Sequence, residues 1–202
     1  MRILSFDIGI KNLAYCVLDS EQNILEWKDL SLITTHKCSQ KSCYKNACYE
    51  LNGLYYCQDH KQSKSKKIKT CKNCELEDLA RLLTPILDTI NTDNITHVII
   101  ENQLRANPKM KFIGSSVLFY FANKLPDIPV RFVSARFKLR GIETDKNLKG
   151  KKNYTNRKKL AIETVSAMDL GEFKTVFESS KKKDDLSDTL LQAKWFMNKF
   201  IS

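Results

Sequence analysis

A chain of 202 residues with 42% apolar and 28% charged side chains is long enough for one ordinary domain with a small appendage, and too apolar to be intrinsically disordered. No apolar run reaches the ~18 residues that a membrane-spanning helix needs, which excludes a helical membrane protein. A net charge of +11 points to a polyanionic partner.

Ile3-Leu4-Ser5-Phe6-Asp7-Ile8 is β-prone, Gly9-Ile10-Lys11-Asn12 turns, and Leu13-Ala14-Tyr15-Cys16-Val17-Leu18 returns as a second strand. Glu21-Gln22-Asn23 makes another turn, into a third strand ending near Ile33. Residues 35–75 break the pattern: six of the seven cysteines and nine lysines sit there among few aliphatics, so this is an insertion that cannot build its own apolar core. Residues 1–34 and 76–202 then form one discontinuous core. Leu79, Leu82, Leu83, Ile86, Leu87 and Ile90 recur at helical spacing and predict a helix from Glu75 to Ile90. Ile95 to Glu101 reads as a buried strand, Lys109 to Lys124 as a helix, and Val130-Arg131-Phe132-Val133 as a further strand. A basic loop covers 136–153, followed by helices at Arg157–Met168 and Asp184–Phe200. The order β-β-β, insertion, α-β-α-β-α-α predicts an α/β fold with a mixed five-stranded sheet flanked by helices.

The positive charge is concentrated. From Arg105 to Lys159, 15 Lys and Arg stand against Asp127, Glu143 and Asp145, a net of +12, and the rest of the chain is near neutral. A solvated basic face is the plainer explanation; a phosphate-gripping surface is the stronger one. Its candidate contacts are Arg105, Lys109, Lys111, Arg136, Lys138, Arg140, Lys151, Lys152, Arg157 and Lys159.

Four acids stand out. Asp7 interrupts an apolar first strand, where a carboxylate is costly to bury without a partner. Glu101 ends the run Val98-Ile99-Ile100 and is followed by Asn102-Gln103. Asp185 and Asp188, three apart, share one face at the start of the last helix; capping that helix would be their structural role, but Asp184 fits the cap better. Converging from three segments, these four acids can hold two divalent cations, Mg²⁺ or Mn²⁺, for phosphodiester hydrolysis.

At these positions the sequence resembles the poxvirus-type Holliday junction resolvases, relatives of the bacterial RuvC and the mitochondrial resolvases. Phe6-Asp7-Ile8-Gly9-Ile10-Lys11-Asn12 resembles their first strand, and Ile99-Ile100-Glu101-Asn102-Gln103 with Lys111-Phe112-Ile113 their second acidic motif and next helix. Val133-Ser134 with Tyr154-Thr155-Asn156-Arg157-Lys158-Lys159 resembles their third strand and basic helix, and Lys183-Asp184-Asp185-Leu186-Ser187-Asp188 their closing acidic motif. The resemblance implies an RNase H-like fold, a homodimer, Mg²⁺ dependence and paired incisions in branched DNA, with Asp7, Glu101, Asp185 and Asp188 as metal ligands. It also implies a catalytic lysine: Lys158 and Lys159 match by motif, and Lys151 or Lys152 could serve instead. The Cys-rich insertion departs from the poxvirus pattern and suggests another large DNA virus.

Met1-Arg2 leads straight into strand-like sequence, so an intracellular protein is expected, in the host cytoplasm or nucleus if viral. Thiols stay reduced there, and the cysteines read as zinc ligands rather than disulfides. The spacing Cys38-x4-Cys43, then Cys57-x2-His60, offers one tetrahedral set; Cys71 and Cys74 could complete another with Cys48 and His36, or replace members of the first. Cys16 reads as a buried small side chain and His97 as structural. The insertion either clamps a DNA arm or braces the fold. Among rivals, an ATP-using enzyme of the actin and sugar-kinase class lacks a second Gly-rich phosphate loop here, so no nucleotide cofactor is expected. A non-catalytic zinc-containing nucleic-acid module leaves the four acids unexplained. An RNase H-like nuclease acting on hybrids or flaps remains the nearer alternative.

Overall fold

The computed structural model describes residues 1–32, 36–68, 74–102, 108–139 and 150–200. Strands β1 (Arg2–Ile8), β2 (Asn12–Asp19) and β3 (Ile24–Ser31) form an antiparallel meander. A Cβ at Gly9 would lie 2.6 Å from the Asn12 carbonyl oxygen, so the β1–β2 turn closes only with glycine there. The insertion holds β4 (Tyr49–Leu51), β5 (Leu54–Tyr56) and β6 (Lys66–Lys67), a separate sheet in the order β5-β4-β6. The core resumes with α1 (Leu76–Asp88), β7 (Ile95–Asn102), α2 (Pro108–Lys124) and β8 (Val130–Ser134). It ends with α3 (Gly150–Ser166), α4 (Lys174–Ser179) and α5 (Lys183–Phe200).

The main sheet has five strands in the order β3-β2-β1-β7-β8, with β7 parallel to both β1 and β8. The predicted mixed sheet and its flanking helices are present. β1 and β7 are central and covered on both faces, which explains their near-continuous apolar runs. One face carries Leu4, Phe6, Val98 and Ile100 against Leu79, Leu83 and Leu87 of α1 and Ile113, Val117 and Phe121 of α2. The other carries Ile3, Cys16, Ile99 and Val133 against Ala161 and Val165 of α3, Phe177 of α4 and Leu190, Ala193 and Phe196 of α5. Cys16 is fully buried and His97 packs on the Phe196 ring, 5.7 Å between centroids.

Polar contacts fix α5 on this second face. Gln192 donates to the Ser5 hydroxyl at 3.1 Å and to the Phe6 carbonyl at 3.2 Å, and all three are buried. The Trp27 indole N–H donates to the Leu186 carbonyl and the Thr189 hydroxyl, each at 3.1 Å. Breaking such buried bonds leaves unpaired groups at about 1–3 kcal/mol each, so the start of α5 is held in register with β1 and β3.

The departures from expectation have physical causes. α3 begins at Gly150, seven residues before the predicted Arg157, because its first two turns carry no apolar periodicity. α5 begins at Lys183, so Asp184 lies in its first turn instead of capping it. The short α4, with only Phe177 buried, has too few residues to show a period. No helix among the described residues is long and apolar enough to cross a membrane.

Candidate active site and metal centres

β1 and β7 run parallel in a register that pairs Phe6 with Ile100. Asp7 and Glu101 therefore stand side by side at adjacent strand ends, on the face that α5 covers. Asp188, one turn into α5, completes the group: the ligand oxygens of Asp7, Glu101 and Asp188 all lie within 4.8 Å of one another. Glu101 is 7% exposed. Asp185 lines the same cleft but stands outside that close triad, paired with Lys182 at 3.3 Å. The cleft encloses roughly 890 Å³, with Tyr154, Arg157, Lys158 and Lys182 along its wall.

The lysine inside the carboxylate cluster is Lys138, expected from the sequence only as a phosphate contact. Its Nζ donates to Glu101 Oε1 at 3.2 Å and to Asp188 Oδ2. Lys138 follows β8 after a single 3-10 turn, Ala135–Phe137, and β8 pairs with β7 through Glu101 and Val133, which brings the lysine over the acids. Lys158, one of the two motif matches for a catalytic lysine, lines the same cleft and holds Asp184 at 2.5 Å. Asp29 of β3 is a further acid that sequence reasoning missed. Burial, then the nearby Asp185, pushes its carboxyl up, and Asp29 Oδ1 is buried without a hydrogen bond.

Among the basic candidates, Arg157 lines the cleft. Lys111 and Lys159 are exposed, the latter 3.6 Å from Glu163. Lys109 donates to the Cys74 carbonyl at 2.5 Å, and Arg136 lies over the Phe137 ring. Arg105 and Arg140 lie outside the described residues, as do the side chains of Lys151 and Lys152.

The electrostatics suit a divalent cation. Burial, and then the adjoining Glu101, push the Asp7 carboxyl well above the usual range, and burial raises Asp188 to about 6. One ammonium among three carboxylates leaves uncompensated negative charge, which hard oxygen ligands can share with Mg²⁺ or Mn²⁺. A raised carboxyl contributes stability that is present below its unfolded value of roughly 4 and is lost as pH rises through the folded value. Without divalent cations, the Tm of the wild type should therefore fall relative to Asp188→Asn between pH 5 and 7.5. Mg²⁺ should restore the wild type more at pH 7.5 than at pH 5. Thermal melts with parallel pH profiles for the two proteins would remove this assignment.

The second cluster is Cys38, Cys43, Cys57 and His60, again with ligand atoms within 4.8 Å of one another. His60 Nδ1 is 3.5 Å from the Cys38 sulfur and 3.4 Å from that of Cys57, and the Cys43 and Cys57 sulfurs are 3.9 Å apart. A tetrahedron with Zn–S bonds of ~2.3 Å has sulfur–sulfur edges of about 3.8 Å, so the spacing fits zinc without movement. Although desolvation opposes ionisation, hydrogen bonds from the Cys57 and Gln40 backbone and from His60 bring the Cys38 thiol down to about 6. Cys48 lies outside this set, its N–H bonded to the Tyr56 carbonyl. Cys74 is buried in the apolar cluster with Leu79 and Leu83, and Cys71 lies outside the described residues.

Comparison with known proteins places this architecture. Over 197 aligned positions the chain is 27% identical to an uncharacterised protein of Acanthamoeba polyphaga mimivirus, an alignment covering 79% of this chain and 46% of the relative. The chain thus spans about half the length of the curated relative it matches. Its fold is similar to that of a fowlpox virus resolvase solved with its substrate Holliday junction DNA, at a TM-score of 0.56, 16% identity and 100% coverage of both chains. It is also similar to Thermus thermophilus RuvC solved with a Holliday junction substrate, at a TM-score of 0.50 and 10% identity, covering 98% of this chain and 96% of that one. These likenesses establish the RuvC-like, RNase H-like fold. Residues 3–107, which include Asp7, Glu101 and the whole insertion, match the family model described as mitochondrial resolvase Ydc2 / RNA splicing MRS1, and the chain belongs to that family.

Proposed function

We propose that the protein is a structure-selective endonuclease that resolves four-way DNA junctions by paired, symmetric nicks. The convergence of Asp7, Glu101 and Asp188 beneath a basic cleft carries this reading, in a chain whose family includes resolvases. Asp7, Glu101 and Asp188, with Asp185 beside them, would hold Mg²⁺ or Mn²⁺, two per site. Bound there, the cations supply Lewis acidity for water attack on phosphorus and departure of the 3′ oxygen.

The protein's own groups do the rest. Asp7 and Glu101 are held on rigid strand ends, so the ligand geometry is set before substrate arrives. Lys138 bridges Glu101 and Asp188 in the resting protein and would stabilise negative charge developing on a phosphate held at these acids. Arg157, Lys158 and Lys182 grip the backbone at the wall of the cleft, which gives affinity without base readout, so selection falls on the shape of the branch. The zinc set Cys38, Cys43, Cys57 and His60 holds the insertion together.

Lys138→Ala is expected to slow incision by about 10²–10³-fold, the scale of losing one preorganised donor. Lys158→Ala should weaken junction binding and slow cleavage less. Single-turnover rates with separately measured Kd values check both; the reverse ranking would return the catalytic role to Lys158.

Symmetric nicks need two sites, which a C₂ pair of chains supplies. We place the pairing face at the open groove between α1 and α2, lined by Leu83, Leu87 and Phe112, with Phe119 70% exposed at its lip. Phe119→Asp should turn a dimer into a monomer in sedimentation velocity.

The deciding experiment incubates the chain with four-way, flap, RNA–DNA hybrid, structured-RNA and linear substrates, with and without Mg²⁺. Paired nicks confined to the four-way junction are expected. Cleavage of hybrid or flap with an intact junction would transfer the site to another substrate, and binding of RNA without cleavage would place the chain on the splicing side of its family.

A further inference from the structure

The small sheet of the insertion has two unlike faces. In its register Tyr49 stands opposite Tyr56 on one side and Lys67 on the other, so these three side chains form a row across the sheet. Leu51 and Leu54 lie beside the row on the same face. Glu50, Tyr55 and Lys66 occupy the opposite face. There the His36 ring stacks on Tyr55, 3.6 Å between centroids, and Ser39 of the metal-binding segment bonds the edge of β5. One face is therefore taken up by the segment that carries the zinc ligands.

Among the described residues no aromatic ring stacks on the face with Tyr49 and Tyr56; both rings are half-buried, and the Tyr49 hydroxyl donates to Gln58 Oε1 at 2.9 Å. None of this face's residues belongs to either apolar core, and Leu54 is 52% exposed. Lysines surround it: Lys67 is exposed at the end of the row, and Lys61, also exposed, holds its Nζ 4.7 Å from the centre of the Tyr49 ring. Across 36–68 seven lysines stand against Glu50 and Asp59 alone. Lys45 is committed to Asp59 and Lys37 to Asn46; Lys61 and Lys67 are on the aromatic side.

Aromatic rings on a sheet with lysines at the margin suit a ligand that has flat apolar surfaces and a regularly charged backbone. We infer that the Tyr49–Tyr56–Lys67 face binds an unpaired nucleic-acid strand, with bases stacked on the two tyrosines and Lys61 and Lys67 on the adjoining phosphates. Three strands at ~4.8 Å spacing span about 10 Å, room for two or three nucleotides. A stacking base displaces the Lys61 ammonium from the Tyr49 ring towards the neighbouring phosphate. A paired duplex keeps its base faces hidden and would leave the rings with nothing to stack on, and so many lysines disfavour an apolar protein partner. The surface is distinct from the carboxylate cleft and adds a second nucleic-acid contact. It rests on the zinc assignment only in needing the sheet to be rigid.

The test is fluorescence anisotropy with labelled oligothymidylate, oligouridylate and a short duplex, using the full chain loaded with zinc and carrying Asp7→Asn to prevent cleavage. Adding Tyr49→Ala and Tyr56→Ala should lower affinity for single strands about tenfold or more, leave duplex affinity unchanged and leave zinc content unchanged. Tyr56→Phe should bind like the parent, because the ring is what stacks. The tighter of the two oligonucleotides identifies DNA or RNA as the source. Because the readout is binding, it stands apart from whether junctions are cut. Unchanged single-strand affinity in the double variant, or an equal loss on duplex, overturns the proposal. Should the double variant lose zinc, photocrosslinking of bromouridine oligonucleotides to the parent decides: adducts at Tyr49 or Tyr56 support the platform, and adducts confined to the cleft overturn it.

Discussion

Asp7→Asn and Glu101→Gln are each expected to lower junction cleavage by on the order of 10³-fold or more while leaving junction affinity within a few-fold. The two carboxylates lie at neighbouring ends of parallel strands, within 4.8 Å of each other and of Asp188, so either amide removes a charged ligand from the centre of the cluster. The affinity would rest on Arg157, Lys158 and Lys182 at the cleft wall, all of which both substitutions leave in place. Asp7→Asn also relieves repulsion among buried acids, so that variant should melt, metal-free, at or above the wild-type temperature. Glu101→Gln instead gives up the contact with Lys138 that, with the Asp7 hydrogen bond, holds the Glu101 carboxyl low against desolvation, and should melt somewhat below it. For Asp7→Asn, loss of rate with retained binding and retained stability is a combination that misfolding cannot produce. Gel-shift titration in Ca²⁺, single-turnover cleavage in Mg²⁺ and a thermal melt measure the three quantities. Full cleavage by either variant would remove the catalytic assignment.

Much of this site is legible in the sequence because burying a charge is expensive. Asp7 inside an apolar strand and Glu101 at the end of Val98-Ile99-Ile100 are anomalies that a folded core tolerates only with partners, and one parallel register makes them each other's neighbours. The five-stranded sheet is legible for a related reason: periodic apolar positions survive in β1, β2, β7, α1 and α5 even though both sheet faces are covered. What pairs with what is harder. Lys138 is one of 15 basic residues between Arg105 and Lys159, and only the pairing of β8 with β7 singles it out. Lys158 carries the motif resemblance, yet its place on α3 aims it at Asp184. Asp29 gives no local signal, since its environment comes from α5, over 150 residues later. Within the insertion the available signal was Asn52-Gly53, whose positive φ values of 51° and 78° make the tight β4–β5 hairpin turn; three-residue strands are otherwise too short to show alternation.

Removing zinc is expected to unfold residues 36–68 and leave the five-stranded core standing. The insertion's sheet has strands of three, three and two residues, and residues 36–68 contribute nothing to either core cluster, their buried cysteines Cys38 and Cys57 belonging to the metal set, so apolar burial cannot hold it. Structural zinc in peptides of this size contributes about 10–16 kcal/mol of apparent binding free energy near pH 7, far more than so small a sheet supplies by itself. One zinc per chain is expected by atomic absorption. Cys57→Ala and Cys38→Ser should lose it, and limited proteolysis should then cut within 36–68 while the β1–β2–β7 region stays resistant. Cys48→Ser and Cys74→Ser keep the four ligands and should retain the metal, which separates the observed set from the other pairings that the cysteine spacing allows. Cys57→Ala protein that still carries one zinc per chain and resists protease throughout would show that the insertion is held by something other than this cluster, and the rigid sheet on which Tyr49 and Tyr56 are displayed would need a different origin.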